Sequence, residues 1–336
     1  MRMATNEEEM PSYVAVFSNI AKLTKCLRTV LPNIRFQEVH PGSEDEEMKL
    51  LREAEIIIAD NDLLGTQLYN LPAAKWVQGT WAGVEKIMQH YDVTKLKPSF
   101  TITRFSNYFF GTLMGEYVIA NIVNHERNLM TVYRNQQACV WSKEGNISDY
   151  RSISDLAVGI LGVGMIGTDI AKTLKTFRAR VWGMVRTMPN ENKKSPHIDE
   201  YRSSSDLPEL LRNCDYIISV LPSTPDTIGL LNGEMLKHCA QKRAVLINIG
   251  RGSVVREEDL VNALNNGWLS AAILDVFEME PLPASNALWT MPQVKITPHV
   301  SGMTRPQDVA LFFKDNLFKY RANKPLDGIL DFEKGY

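Results

Sequence analysis

Nowhere in the sequence does an apolar run approach the ~20 residues that a membrane-spanning helix needs. The opening stretch, MRMATNEEEMPSY, is acidic and lacks an apolar core, so neither a secretory signal nor a basic transit peptide is expected. Charge of one sign is scarce as well: 37 Lys and Arg against 39 Asp and Glu leave a formal net charge of −2. That balance offers no electrostatic case for nucleic acid or for an anionic membrane. Cysteine is sparse, four in 336 residues. Cys26, Cys139, Cys214 and Cys239 have no metal-ligand spacing, so no metal site is expected, and Cys214 and Cys239 lie near apolar segments as core thiols. A reduced, cytoplasmic protein is the expectation. No short-period repeat and no low-complexity linker interrupts the chain.

What is present is the composition of an ordinary globular protein, 44% hydrophobic and 23% charged, long enough for about two domains. In the N-terminal third, strand-like segments at 13–17, 34–39, 55–59, 75–78 and 100–104 alternate with helix-like ones at 20–31, 45–53 and 64–70. This alternation predicts a parallel sheet flanked by helices. A long helical pattern over about 111–137 suits a helix bridging two domains. From residue 156 the alternation restarts, with strands at 157–161, 180–185, 216–221, 244–249, 270–276 and 294–297. Six parallel-type strands are the number a full dinucleotide domain uses. A last helix is expected over 305–323.

The second half opens on an apolar strand running into Gly162-Val-Gly164-Met-Ile-Gly167 and then a helical pattern. This is the strand–turn–helix unit that holds a dinucleotide. The first glycine permits the tight turn, the second lets the backbone approach a pyrophosphate, and the third lets helix and strand pack closely. The helix N-terminus adds free N–H groups and partial positive charge. At the end of the next strand an NAD site usually carries an acid for the ribose 2′-hydroxyl. Here stand Val185, Arg186 and Thr187. Val185 cannot accept that hydrogen bond, whereas Arg186 can pair with a 2′-phosphate and Thr187 can donate to it. The residues favour NADP(H), with NAD(H) at lower preference.

In doubly wound sheets, ligands bind beyond the carboxyl ends of the strands. The later strand ends carry a stiff polar turn, Leu221-Pro222-Ser223-Thr224-Pro225-Asp226-Thr227, then Asn248-Ile249-Gly250-Arg251-Gly252, then Asp275 with Glu280-Pro281, then Pro298-His299-Val300-Ser301-Gly302. Arg251, with a glycine on each side, can grip a carboxylate through two parallel hydrogen bonds. Asp275 ends an apolar strand, where a carboxylate needs a partner. His299 is bracketed by proline and small residues that hold its ring. An arginine, acids and a histidine thus converge on one crevice beside a nicotinamide site.

On these five motifs, in this order and spacing over nearly the whole chain, the sequence resembles the D-isomer-specific 2-hydroxyacid dehydrogenases, and within them the NADPH-dependent glyoxylate/hydroxypyruvate reductase branch. Trp182 through Thr187, Pro281-Leu282-Pro283, Leu288-Trp289 and Thr304-Arg305-Pro306 point to that branch. The resemblance implies an α/β fold of two Rossmann-like or flavodoxin-like parallel-sheet domains with an interdomain cleft. A substrate domain of residues 1–106 plus 300–336 would enclose a nucleotide domain of 107–299. Arg251 would bind the substrate carboxylate and keto oxygen, His299 would be the general acid, Glu280 would pair with His299, and Asp275 would contact the nicotinamide carboxamide. Trp81-Ala82-Gly83-Val84 resembles the family's loop whose backbone N–H groups hold the carboxylate. Trp81 is larger than the residue many relatives carry there. Further nucleotide contacts would come from Met114, Met165, Ile166, Leu221, Pro222, Thr227, Ile249, Gly250, His299 and Gly302. The expected reaction is reduction of a 2-keto acid to a D-2-hydroxy acid by a homodimer, with Trp141 a candidate to reach a partner subunit's site. Trp81, Tyr108, Phe109 and Phe110 leave room for larger or aromatic keto acids. A corepressor-like nucleotide-sensing protein is the alternative of another class.

Overall fold

The computed structural model describes residues 12–43, 45–106 and 108–335, so most of the acidic opening lies outside it. The chain divides into two compact units, Met1–Asn107 with Thr304–Tyr336, and Tyr108–Met303. Among the described residues no helix is long and apolar enough to cross a membrane.

The first unit alternates β1 (Val14–Phe17), α1 (Leu23–Val30), β2 (Phe36–Glu38), α2 (Asp45–Glu53), β3 (Ile56–Ala59), α3 (Asn61–Gln67), β4 (Trp76–Gly79), α4 (Glu85–Met88) and β5 (Thr101–Thr103). The strands lie in the order β2-β1-β3-β4-β5 and every pairing is parallel, the flavodoxin-like winding. β1 and β3 are buried along their whole length, which is why they read as unbroken apolar runs. α3 begins at Asn61, three residues before the 64–70 helix expected from the sequence. The polar Asp60-Asn61 pair hid a start that is buried and bonded inside the unit.

The second unit opens with α5 (Tyr108–Glu126) and α6 (Leu129–Gln137). The single helix expected over 111–137 is broken: Asn128 sits in the left-handed region at φ 49°. Asparagine tolerates that conformation, and the helical pattern on either side concealed the break. α5 belongs to the second unit and packs on α7, where a Cβ on Gly111 or Gly115 would collide with Asp169 or Thr173. Next come β6 (Ala157–Leu161), α7 (Met165–Thr176), β7 (Arg180–Val185), β8 (Glu200–Ser203), α8 (Leu207–Asn213), β9 (Tyr216–Ser219), β10 (Val245–Asn248), α9 (Glu257–Asn265), β11 (Ala271–Leu274) and β12 (Val294–Ile296). The order β12-β11-β10-β9-β6-β7-β8 is parallel throughout. That is seven strands rather than the six expected. The extra one, β8, is the edge strand Glu-Tyr-Arg-Ser, half-buried and without the apolar alternation that reveals a strand. The order reverses between β6 and β9, so the switch point of a doubly wound sheet lies beyond their carboxyl ends. Side chains alternate between the two faces: Tyr216 and Ile218 pack with Val158, Ile160 and α7, Ile217 with Leu246 and α8.

The chain then returns to the first unit as α10 (Pro306–Arg321). Phe313 and Tyr320 stack on the buried Trp76 at 5.1 and 5.5 Å between ring centroids. Asn316 ties β4 to the C-terminal segment by donating to Gln78 Oε1 and to the Asp327 carbonyl.

Candidate active site

Because every strand of the second unit is parallel, the residues that follow β6, β7, β9, β10, β11 and β12 all emerge on one edge. Beyond β6, Gly162 adopts φ +103°, a conformation other residues rarely take. Gly167 passes so close to the turn that a Cβ would lie 2.1 Å from the Gly162 carbonyl oxygen. Gly164 is the opposite case. It caps α7, is exposed, and a Cβ there would meet nothing within 4 Å. The N-terminus of α7 therefore has open space beside Gly164, a fit for a pyrophosphate. Met165 is exposed beside it and Ile166 half-buried.

Arg186 and Thr187, after β7, are exposed. Arg186 pairs with Asp226 in the loop after β9. Since β6 lies between β7 and β9, this ion pair spans the crest of β6. Thr227, expected at the nucleotide, spends its hydroxyl within its own loop: it donates to the Pro222 carbonyl at 2.6 Å and accepts from the Thr224 N–H at 2.9 Å. Leu221, Ile249 and Gly250 are buried at the same edge, and Pro222 is half-buried. Met114 is buried where α5 passes Gly302, whose Cβ would lie 3.0 Å from Met114 Cγ.

After β10, the buried Asn248 staples the turn that presents Arg251. Its amide donates to the Arg251 carbonyl at 3.0 Å and its oxygen accepts from the Gly250 N–H at 3.3 Å. The half-buried Arg251 donates from Nη1 to the Gly250 carbonyl at 2.6 Å.

His299 follows β12, with Nδ1 2.7 Å from Glu280 Oε2. A carboxylate oxygen accepts, so Nδ1 donates in this pair and Nε2 is the ring nitrogen outside it. The other Glu280 oxygen accepts from the Phe277 N–H at 3.0 Å, which fixes the carboxylate. His299 itself lies at φ 55°, in the left-handed region. Asp275 holds it there. This fully buried carboxylate accepts from the Val300 and Ser301 N–H groups, both at 2.8 Å, and from the Thr297 hydroxyl at 2.5 Å. Its own carbonyl accepts from the His299 N–H at 2.9 Å. The partner that a carboxylate at a strand end required is thus the histidine turn.

In the first unit, residues 81–84 follow β4 as a half-buried turn ending in the buried Val84. Asn61 and Asp60, which sequence reasoning passed over, hold this turn. The Asn61 amide donates to the carbonyls of Gly83 at 2.6 Å and Trp81 at 3.3 Å. Asp60 accepts from Thr80 Oγ1 at 2.6 Å and from Ser18 Oγ at 2.7 Å. A signal for both was present: they stand at the carboxyl end of β3, the position that singled out residues elsewhere.

The profile of a family described as "D-isomer specific 2-hydroxyacid dehydrogenase, NAD binding domain" matches residues 119–301. Glyoxylate/hydroxypyruvate reductase A of Escherichia fergusonii is 30% identical over 316 residues, which cover 92% of this chain and 94% of that protein. The protein of the same name from Klebsiella pneumoniae is 32% identical over 79% of this chain and 82% of its own. Among solved structures, a D-isomer specific 2-hydroxyacid dehydrogenase from Xanthobacter autotrophicus, in complex with NADPH and MES, superposes with a TM-score of 0.81. It is 27% identical, over 97% of this chain and all of the other.

Proposed function

This chain belongs to the D-isomer specific 2-hydroxyacid dehydrogenases, and from that premise we propose that it is an NADPH-dependent reductase of small 2-keto acids of the glyoxylate and hydroxypyruvate type. The observation that carries the reading is the set of groups at the ends of β10, β11 and β12: a guanidinium on a stapled turn, and a histidine whose Nδ1 is held by Glu280 at 2.7 Å. The nucleotide fits the open space at Gly164 and the N-terminus of α7, with Met165, Ile166, Leu221 and Pro222 around it. Arg186 and Thr187 take the 2′-phosphate; NADH, for which Val185 offers no acceptor, is the poorer cofactor. When bound, NADPH supplies a hydride to the carbonyl carbon.

The chain's own residues do the rest. Arg251 grips the substrate carboxylate and stabilises the negative charge that develops on the keto oxygen. His299 delivers a proton to that oxygen from Nε2, and Glu280 holds the ring in place through Nδ1. Asp275 keeps the 297–301 turn in place. Within the first unit, which serves as the substrate domain, the N–H groups of 82–84 are the donors for a substrate carboxylate. Orienting the reactant in this way removes much of the entropic barrier.

A homodimer is the reading supported by α6 and the segment after it. No residue of α6 is buried, and Leu129, Met130, Tyr133, Val140 and Trp141 expose apolar surface, Trp141 to 97%. A second copy of the chain covers this face, and Trp141→Glu shifts the sedimentation coefficient to that of the monomer. Four free thiols accord with a cytoplasmic location. The functional test is NADPH oxidation with glyoxylate, hydroxypyruvate, pyruvate and phenylpyruvate in turn. Turnover of the first two supports the reading, preference for phenylpyruvate moves it to aromatic keto acids, and turnover of none overturns it.

A further inference from the structure

We propose that Asn61 is a positioning residue for the substrate: it turns the Ala82 and Val84 N–H groups toward the carboxylate of the keto acid. The inference rests on the assignment of 82–84 to carboxylate binding and names the residue that makes that loop competent. Asn61 is fully buried at the start of α3, and its two amide protons go to the carbonyls of Gly83 and Trp81, 2.6 and 3.3 Å away. A trans peptide points its C=O and N–H in opposite directions. Drawing in the Gly83 carbonyl therefore turns the Val84 N–H away from Asn61, and the Trp81 carbonyl, held by Asn61 together with the Phe105 N–H at 2.9 Å, turns the Ala82 N–H away likewise. Among the described residues, the N–H groups of Ala82, Gly83 and Val84 have no protein acceptor.

The orientation of the amide is forced. Rotated by half a turn, Asn61 would place its oxygen against two carbonyl oxygens. As it stands, Oδ1 is buried without a donor, lying where a Cβ on Gly79 would be 2.5 Å away. A buried acceptor left unpaired is costly. Asn61 bears that cost while spending both of its donors on one loop. Asp60 fixes the loop's other anchor through Thr80, the residue before Trp81.

The test uses Asn61→Asp, which keeps the shape and loses both donors, and Asn61→Ser, which is smaller and keeps one. Three quantities are read: KM and kcat for glyoxylate, the dissociation constant of oxamate by calorimetry in the presence of NADPH, and the dissociation constant of NADPH alone. With Asn61→Asp, KM and the oxamate constant both rise about tenfold or more, the scale of a hydrogen bond to a charged group. NADPH binding stays unchanged and kcat falls by less than KM rises. Asn61→Ser lies between Asn61→Asp and the wild type. A purely structural role lowers the active fraction, so kcat drops while KM and the oxamate constant hold; that result overturns the proposal. A wild-type chain that binds oxamate but reduces no 2-keto acid refutes the proposed function separately, and weaker oxamate binding by Asn61→Asp still upholds the role of Asn61.

Discussion

Replacing Arg186 with alanine separates the two cofactors, and its size can be worked from the ion pair the guanidinium already makes. A charge-assisted hydrogen bond to phosphate contributes about 1.5–3 kcal/mol. Against this stands the pair with Asp226, whose side chains are 52% and 65% exposed. A pair so exposed contributes only about 0.2–1 kcal/mol. Drawing the guanidinium off Asp226 therefore leaves a net gain of about 0.5–2.8 kcal/mol, so Arg186→Ala weakens NADPH by about 2- to 100-fold at about 1.4 kcal/mol per factor of ten. NADH, which has no 2′-phosphate, changes by less than about threefold on the same reasoning. Asp226→Asn acts in the opposite sense: it removes the ion pair with Arg186 and a negative charge near the phosphate, tightening NADPH by up to about fivefold and leaving NADH alone. Both effects shrink with added salt, because the site is open to solvent. Fluorescence titration of each variant with each nucleotide, at low and at 0.5 M salt, measures all of this. Equal losses for NADPH and NADH in Arg186→Ala would refute the assignment of Arg186 to the 2′-phosphate. A loss of NADPH affinity in Asp226→Asn would show that Asp226 presents the guanidinium and does not compete for it.

His299→Ala lowers kcat by about 10²- to 10⁴-fold, the usual share of a positioned acid, while NADPH binds as before; near-normal turnover would remove His299 from the mechanism. Glu280→Gln keeps an acceptor for His299 Nδ1 but loses its charge, which roughly halves the strength of the hydrogen bond, so kcat falls about tenfold with little change in KM. An unchanged kcat would mean that Phe277 and the turn alone orient the ring. Burial pushes the Cys239 thiol up to about 12 and raises that of Cys214 further, so neither forms the reactive thiolate at pH 8. A disulfide-exchange reagent then labels the exposed Cys139 quickly and the half-buried Cys26 more slowly, and reaches four equivalents only after denaturation. Rapid reaction of all four in the native protein would contradict the packing of β9 and α8.

How far the sequence carries depends on whether a residue's partner is local. Gly162, Gly164 and Gly167 answer to constraints within six residues of one another, and their turn was legible without the fold. The long apolar strands were legible too, because burial on both faces writes an unbroken run. β8 was not, since Glu200, Tyr201, Arg202 and Ser203 form a half-buried edge and pair with β7 alone. Asn128 was not, because the residues on both sides suit a helix and only the fold demands the left-handed break. Asn61 escaped for a third reason: its partners are main-chain carbonyls about 20 positions away, and nothing in their side chains announces them.

Asp275 shows where the two kinds of information meet. At the end of an apolar strand its carboxylate had to find a partner, but which one depends on register. Leu274 pairs with Ile296, so Asp275 stands level with Thr297 and one step from the turn carrying His299. In that register its two oxygens reach Thr297, Val300 and Ser301 at once. A non-glycine residue in the left-handed region costs about 1–2 kcal/mol. Three hydrogen bonds to a charged acceptor, each contributing about 1.5–3 kcal/mol, offset that cost and fix the ring near Glu280. Shifting β12 by one residue against β11 would preserve the sheet and its parallel order yet would withdraw those oxygens from the turn. The position of the proposed acid is therefore set by the same strand pairing that builds the core.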